Sequence, residues 1–254
     1  MMYKFVIFFY IFSIYFGHLD TGITPFLISK IGTVLLILTA IIANFRDYFN
    51  FSRLTKILLF LVLLTSVRNY YFFSTEIPLI NLELLLVIFS VVSIKTFIIN
   101  NKIDFNIIIN YTIFFSVLAG LYLVFGFGDG SWEGRYTIDG QNQNLLAVNL
   151  SIGIIFIIIK LIKSKRKLLL FSCLFIILVA VTMTGSRSGF IVCILGILGV
   201  LYQYRLSIHK TKRIFYSFFF ILFLISIGLI FIDSDNILAL RFQNNSGSDL
   251  SGRD

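Results

Sequence analysis

Long apolar runs recur along the whole chain with only short polar breaks between them, and that pattern restricts what it can fold into. A helix needs about 20 mostly apolar residues to cross a bilayer, within a range near 17–25. Nine stretches approach that length: Tyr3–Gly17, Ile23–Ala43, Ile57–Phe73, Ile77–Ile94, Ile107–Phe127, Leu145–Ile159, Leu168–Thr184, Phe190–Tyr204 and Ile214–Ile232. A soluble domain carries roughly 25% charged residues; here 13% are charged and 58% hydrophobic. Disorder requires low hydrophobicity and high net charge and is excluded. The expected fold is all-α, a polytopic integral membrane bundle of about nine transmembrane helices. The first run reads as an uncleaved span, because His18, Leu19 and Asp20 follow it where a signal peptide has small residues.

Charge placement orients the bundle. Basic residues near span ends mark the cytoplasmic side. With the N-terminus inside, the inner segments hold Lys4; Arg46, Arg53 and Lys56; Lys95 and Lys102; Lys160, Lys163, Lys165, Arg166 and Lys167; and Arg205, Lys210, Lys212 and Arg213. Of the 21 basic residues only Lys30, Arg68, Arg135, Arg187, Arg241 and Arg253 fall outside, and of the 12 acidic ones only Asp47 and Asp104 fall inside. The expected topology is N-terminus cytoplasmic and C-terminus outside. In a soluble protein a net charge of +9 would point to nucleic acid. In a bundle the position of each charge matters more than the sum, so the expected partner is the lipid bilayer and not nucleic acid. The 30 Phe residues read as lipid-facing filler.

No Gly-rich phosphate loop, CxxC or His cluster is present, so neither a metal nor another cofactor is expected. Cys173 and Cys193 fall within spans and read as small apolar fillers. The outer face of the C-terminal half carries four arginines against the charge rule: Arg135, Arg187, Arg241 and Arg253. A guanidinium fork suits bidentate phosphate or carboxylate recognition better than an ammonium does. The most specific local signal is Thr182-Met183-Thr184-Gly185-Ser186-Arg187-Ser188-Gly189, a connection of a few residues between two spans. Its glycines permit close approach to the backbone, and Ser186 or Ser188 can cap the following helix, whose first amides favour an anion. The plain alternative is a tight turn with Arg187 snorkelling. The loop Gly128–Asn144 holds the only Trp, Trp132, with Asp129, Glu133 and Asp139. Aromatic, amide and carboxylate groups together suit sugars, although nothing fixes the carboxylate separation that glycoside hydrolysis requires. Glu83, near the outer end of the fourth run, is an ionisable group in a span and a functional candidate on that ground.

Thr184-Gly185-Ser186-Arg187-Ser188-Gly189 resembles the Thr-Gly-Ser-Arg turn of the bacterial O-antigen ligase and O-antigen polymerase superfamily. Gly134-Arg135 followed by Asn142-Gln143-Asn144-Leu145-Leu146-Ala147 is similar to its preceding Gly-Arg and Asn-Pro-Asn elements, with Gln143 where proline is usual. Ser251-Gly252-Arg253 resembles the opening of the family's large periplasmic loop. The likeness covers roughly 134–254 and divides the chain into N-terminal spans, 1–127, and a ligase- or polymerase-like region, 128–254. It implies that the chain is an N-terminal fragment lacking most of the periplasmic loop. It also implies a glycosyltransferase of the bacterial cytoplasmic (inner) membrane, moving an undecaprenyl diphosphate-linked oligosaccharide onto an acceptor sugar at the outer leaflet. The acceptor is another lipid-linked glycan for a polymerase and lipid A–core for a ligase. On this reading Arg187 and Arg135 are catalytic, neutralising the leaving diphosphate, with Arg253 as a further clamp. Ser186, Ser188, Arg241, Trp132, Glu133 and Asp139 line the substrate, and Glu133 or Asp139 stands in for the missing base. A non-enzymatic transporter or flippase of polyprenyl-linked oligosaccharide is the alternative. Such a carrier places charges along a midplane path, whereas here they gather at the outer face.

The orientation predicts that a cysteine label at Ser164 reacts only from the cytoplasm and one at Ser131 only from outside. Labelling of Ser164 from outside reverses the topology and every site assignment with it.

Overall fold

The computed structural model describes residues 2–16, 25–73, 78–130, 136–138, 142–163 and 167–204. The described residues are helical almost throughout. In chain order the elements are α1 (Met2–Phe16), α2 (Pro25–Ala43), α3 (Phe45–Tyr48), α4 (Arg53–Phe73), α5 (Pro78–Ile99) and α6 (Phe105–Val124). Then come β1 (Asp129–Gly130), β2 (Tyr136–Thr137), α7 (Gln143–Lys163), α8 (Lys167–Met183) and α9 (Arg187–Tyr204). Each of the first eight apolar runs is therefore a helix, with ends displaced by a few residues. The ninth, Ile214–Ile232, lies outside the described residues. Among those described, two helices, Phe105–Val124 and Gln143–Ile162, are long and apolar enough to cross a membrane. Shorter apolar helices of 10–17 residues include Met2–Phe16, Lys30–Ala43 and Lys167–Met183.

The chain packs as two compact units, Met1–Tyr111 and Thr112–Asp254. The expected division near 127/128 follows motif content; the packing division falls inside α6. In the first unit α2 lies between α1 and α5, and α4 packs on α5. The Tyr3 ring meets Phe97 edge-on at 5.3 Å, joining α1 to α5. In the second unit α7 is central, packing on both α8 and α9. It also approaches α6 closely, since a Cβ on Gly153 would lie 2.1 Å from the Ser116 hydroxyl.

Polarity is arranged in an unusual way for a packed chain. Ser13, Thr39, Ser90, Ser93, Thr96, Thr112, Ser116 and Ser151 are buried, while Ile42, Leu168, Phe175 and Phe5 are among many large apolar residues left exposed. The buried hydroxyls do not lack partners. Thr39, Ser90, Ser93, Thr96 and Ser151 each donate to the carbonyl four residues back in their own helix, at 2.7–2.9 Å. Such back-bonding lets a small polar side chain sit at a helix–helix contact without leaving a group unsatisfied.

Helix ends are closed by local sequence. After α5, Asn101 takes a left-handed φ of 52°, and Lys102 N–H bonds Phe97 O at 2.9 Å while Asn101 N–H bonds Ile98 O at 3.1 Å. Gly126, at φ 78°, closes α6 the same way through Phe127 N–H to Tyr122 O and Gly126 N–H to Leu123 O. This crossed pair satisfies carbonyls that the last turn leaves open. The loop after α6 folds back as a two-stranded antiparallel pair, Asp129 opposite Thr137 and Gly130 opposite Tyr136. The fully buried Ile138 anchors the return strand. The pairing was not expected from sequence, because two-residue strands are too short to show alternation.

Asp104 opens α6 as its cap, accepting from Asn106 N–H at 2.9 Å and from the Asn106 side-chain amide at 3.1 Å. The backbone bond first, and the amide second, hold its carboxyl below the ordinary 3.8. A depressed carboxyl stabilises the fold fully above its unfolded value, and the effect is lost as pH falls through the lower folded value. Carboxyl NMR of Asp104 should therefore titrate below 3.8. In Asn106→Ala the midpoint should rise part of the way back, because the backbone bond remains.

Candidate functional site

The connection Thr184-Gly185-Ser186 is folded residue by residue for compactness. Thr184 Oγ1 donates to Val181 O at 2.7 Å. Gly185 turns the chain at φ 60°, in the left-handed region where a side chain is disfavoured. Its N–H closes on Thr182 O at 3.1 Å. Ser186 then caps α9: its Oγ accepts from Gly189 N–H, the third helical amide, at 3.3 Å. Of the two serines expected to cap, Ser186 does so. It is 2% exposed, and the exposed Ser188 lies beside it with the two hydroxyls 3.0 Å apart.

Two distant segments meet here. Asn142 caps α7, its Oδ1 accepting from Asn144 N–H at 2.9 Å and from Leu145 N–H at 3.4 Å. Gln143 then occupies the first helical position, one that proline also tolerates. Ser186 Oγ donates to Asn144 Oδ1 at 2.8 Å across 42 residues of sequence. Farther along, a Cβ on Gly189 would lie 2.3 Å from Ala147 Cβ and 2.9 Å from its carbonyl carbon. Ser151 Oγ sits 2.7 Å from Gly189 O. The next contact pairs Gly196 with Ile155. Contacts that advance together along both helices mean that α7 and α9 run parallel, with their N-termini side by side.

The electrostatics of that end are one-sided. Each helix N-terminus carries the equivalent of about half a positive charge, normally complemented by Asp or Glu in the first turn. Neither α7 nor α9 has an acid there, and α9 begins with a cation, Arg187. A cation at that position costs the helix roughly 0.3–1 kcal/mol.

The structure thus brings together Ser186, Ser188 and the backbone of Arg187 with Asn142 and Asn144. The side chain of Arg187 lies outside what is described, as do residues Arg135, Arg241, Arg253, Trp132, Glu133 and Asp139; Glu83 is described only as backbone within α5. Asn144 and Gly189 are the residues that sequence reading undervalued. Asn144 stood in the Asn142-Gln143-Asn144 segment already singled out, but its partner 42 residues away left no local trace. Cys173 and Cys193 are both free thiols. No family model, curated protein or solved structure matches the chain.

Removing the Ser186 hydroxyl takes away a cap and leaves the Asn144 carbonyl without this donor, so Ser186→Ala should lower stability by about 1–2 kcal/mol. Gly189→Ala sets a methyl against backbone and should cost about 1–3 kcal/mol. Ser188→Ala should stay within about 0.5 kcal/mol. Thermal unfolding in detergent checks the order. Equal effects at Ser186 and Ser188 would contradict the assignment of the cap.

Proposed function

We propose that the chain is a membrane glycosyltransferase of the O-antigen ligase and polymerase type. It transfers an undecaprenyl diphosphate-linked oligosaccharide to an acceptor sugar at the outer leaflet of the bacterial cytoplasmic membrane, either in repeat-unit polymerisation or in ligation to lipid A–core. The proposal includes nine spans with the N-terminus inside. Its support in composition is the inverted polarity of the packing, with hydroxyls inside and Phe, Leu and Ile outside, which suits a lipid surround.

One observation carries the reading of the site: the parallel N-termini of α7 and α9, joined by the Ser186–Asn144 bond, carry no first-turn acid and one cation. An anion with several oxygens is the ligand that such an end favours. In a glycosyl transfer from a lipid diphosphate, the acceptor hydroxyl attacks the anomeric carbon. The bond from that carbon to the diphosphate oxygen breaks, and negative charge builds on the leaving group. Amides and a guanidinium fixed beside that oxygen stabilise the charge as it develops, the term that usually dominates catalysis. Arg187 holds the diphosphate, Ser186 and Asn144 position the start of α9, and Arg135 and Arg253 are auxiliary clamps. Trp132, Glu133 and Asp139 belong to the sugar side, with Ser188 and Arg241 as further substrate contacts.

Arg187 decides between catalysis and anchoring. If it grips the diphosphate, Arg187→Lys should fail nearly as badly as Arg187→Ala, because a point charge lacks the fork. Each should cost on the order of 10²–10³-fold in rate. Helix stability should move the other way in Arg187→Ala, since an unfavourable cation leaves the N-terminus. The measurement is polysaccharide chain formation by the full-length protein carrying each substitution, in a bacterium deficient in its own polymerase or ligase, with membrane levels matched. Near-normal product from Arg187→Lys would return the turn to a simple interfacial anchor, because lysine snorkels equally well.

A further inference from the structure

The connection between α2 and α4 is built as a rigid foot. Tyr48 is buried, and its hydroxyl reaches Phe89 O on α5 at 3.4 Å. The Phe51 ring packs against Phe89 at 6.4 Å between centroids. Asn44 Nδ2 donates to Asn100 Oδ1 at 3.2 Å, tying the connection to the end of α5. Ser52 starts α4 by accepting from Thr55 N–H at 3.2 Å. With Tyr48 and Phe51 turned inward, Phe45 and Phe49 are left outward, 67% and 46% exposed, their rings 4.8 Å apart.

Exposed cations lie close to this aromatic pair in sequence. Arg46 is exposed on the same connection, and Arg53 and Lys56 are exposed in the first turn of α4. Lys102, in the α5–α6 turn next to Asn100, is exposed as well, its ammonium 5.9 Å from the Tyr3 ring centroid. The two acids of this end are engaged with amides: Asp47 with Asn44, and Asp104 with Asn106.

We propose that this end of the first unit is a docking surface for anionic phospholipid headgroups, resting on the membrane reading above. Rings placed among cations match a boundary where an acyl layer meets a phosphate layer. An acidic protein segment would pair with the cations and leave Phe45, Phe49 and Leu54 in water, so lipid is the occupant that satisfies both halves of the surface. Guanidinium groups at two of the positions suit phosphate oxygens.

The test uses the full chain in proteoliposomes. Trp132→Phe removes the native fluorophore, and Phe49→Trp introduces one at the foot. A parallel protein carries Phe114→Trp, at an exposed position within α6. Acyl-brominated phosphatidylglycerol or phosphatidylcholine serves as quencher. Phe114→Trp should be quenched by both lipids alike. Phe49→Trp should be quenched several-fold more effectively by phosphatidylglycerol. That preference should shrink with each cation removed in Arg46→Gln, Arg53→Gln and Lys56→Gln, and should vanish in the triple variant and in about 1 M salt. Quenching of Phe49→Trp without a lipid preference, or a preference unchanged in the triple variant, overturns the proposal while leaving the membrane reading intact. No quenching of Phe114→Trp by either lipid overturns the membrane reading, and the docking surface with it.

Discussion

The approach of Gly189 to Ala147 governs the second unit. With hydrogen in place of a side chain, the start of α9 lies against the backbone of α7, and Ser151 spans the contact from its Oγ to Gly189 O. Once that contact is fixed, the geometry at the helix ends follows. Ser186 falls within 2.8 Å of Asn144, and the N-termini of α7 and α9 come to lie side by side. Attraction between the helices does not favour this arrangement, because parallel neighbours place like dipole ends together. Close packing and the hydroxyl bonds offset that repulsion.

The same economy runs through the helix ends elsewhere. A chain with so much exposed apolar surface closes its polar groups with its own residues. Asn101 and Gly126 take left-handed turns that return amides to the open carbonyls. Asp104, Asn142, Ser52 and Ser186 cap helix starts with short side chains. Buried serines and threonines bond back within their own helices. In an apolar surround an unpaired amide or carbonyl has no water to turn to, so these short residues between and within apolar runs hold the fold as much as the runs do.

The two ends of the chemistry contrast in kind. At the foot of the first unit exposed Arg46, Arg53, Lys56 and Lys102 accompany the outward Phe45 and Phe49 of a connection pinned by Tyr48 and Asn44. At the start of α9 the single cation is an arginine set at a buried serine cap. Exposed mixed charge with aromatics fits a broad, fluid surface. The start of α9 is instead a compact hydrogen-bonded turn, with Ser186 joined to Asn144 and to Gly189.

Much of the local structure was legible in the sequence. The apolar runs marked the helices to within a few residues, Asn142 stood at the start of one, and Ser186 was one of two serines expected to cap another, because a cap depends on residues only a few positions apart. The Asp104 cap and the Gly126 turn were not read from sequence, the fifth run being carried past Gly126 to Phe127. Which helices become neighbours was not legible. Helices such as α6 and α8 are apolar on nearly every side, so periodicity gives no inward face from which to infer a partner. The bond from Ser186 to Asn144, the parallel pairing of α7 with α9, and the placement of Tyr48 under Phe89 were decided only when the tertiary structure brought distant residues together. Sequence by itself determined that the chain is helical, where the described helices lie to within a few residues and where its charges fall along it. Tertiary packing decided which of those caps and charges share a site, because that depends on small residues meeting across helices and not on the order in which the chain presents them.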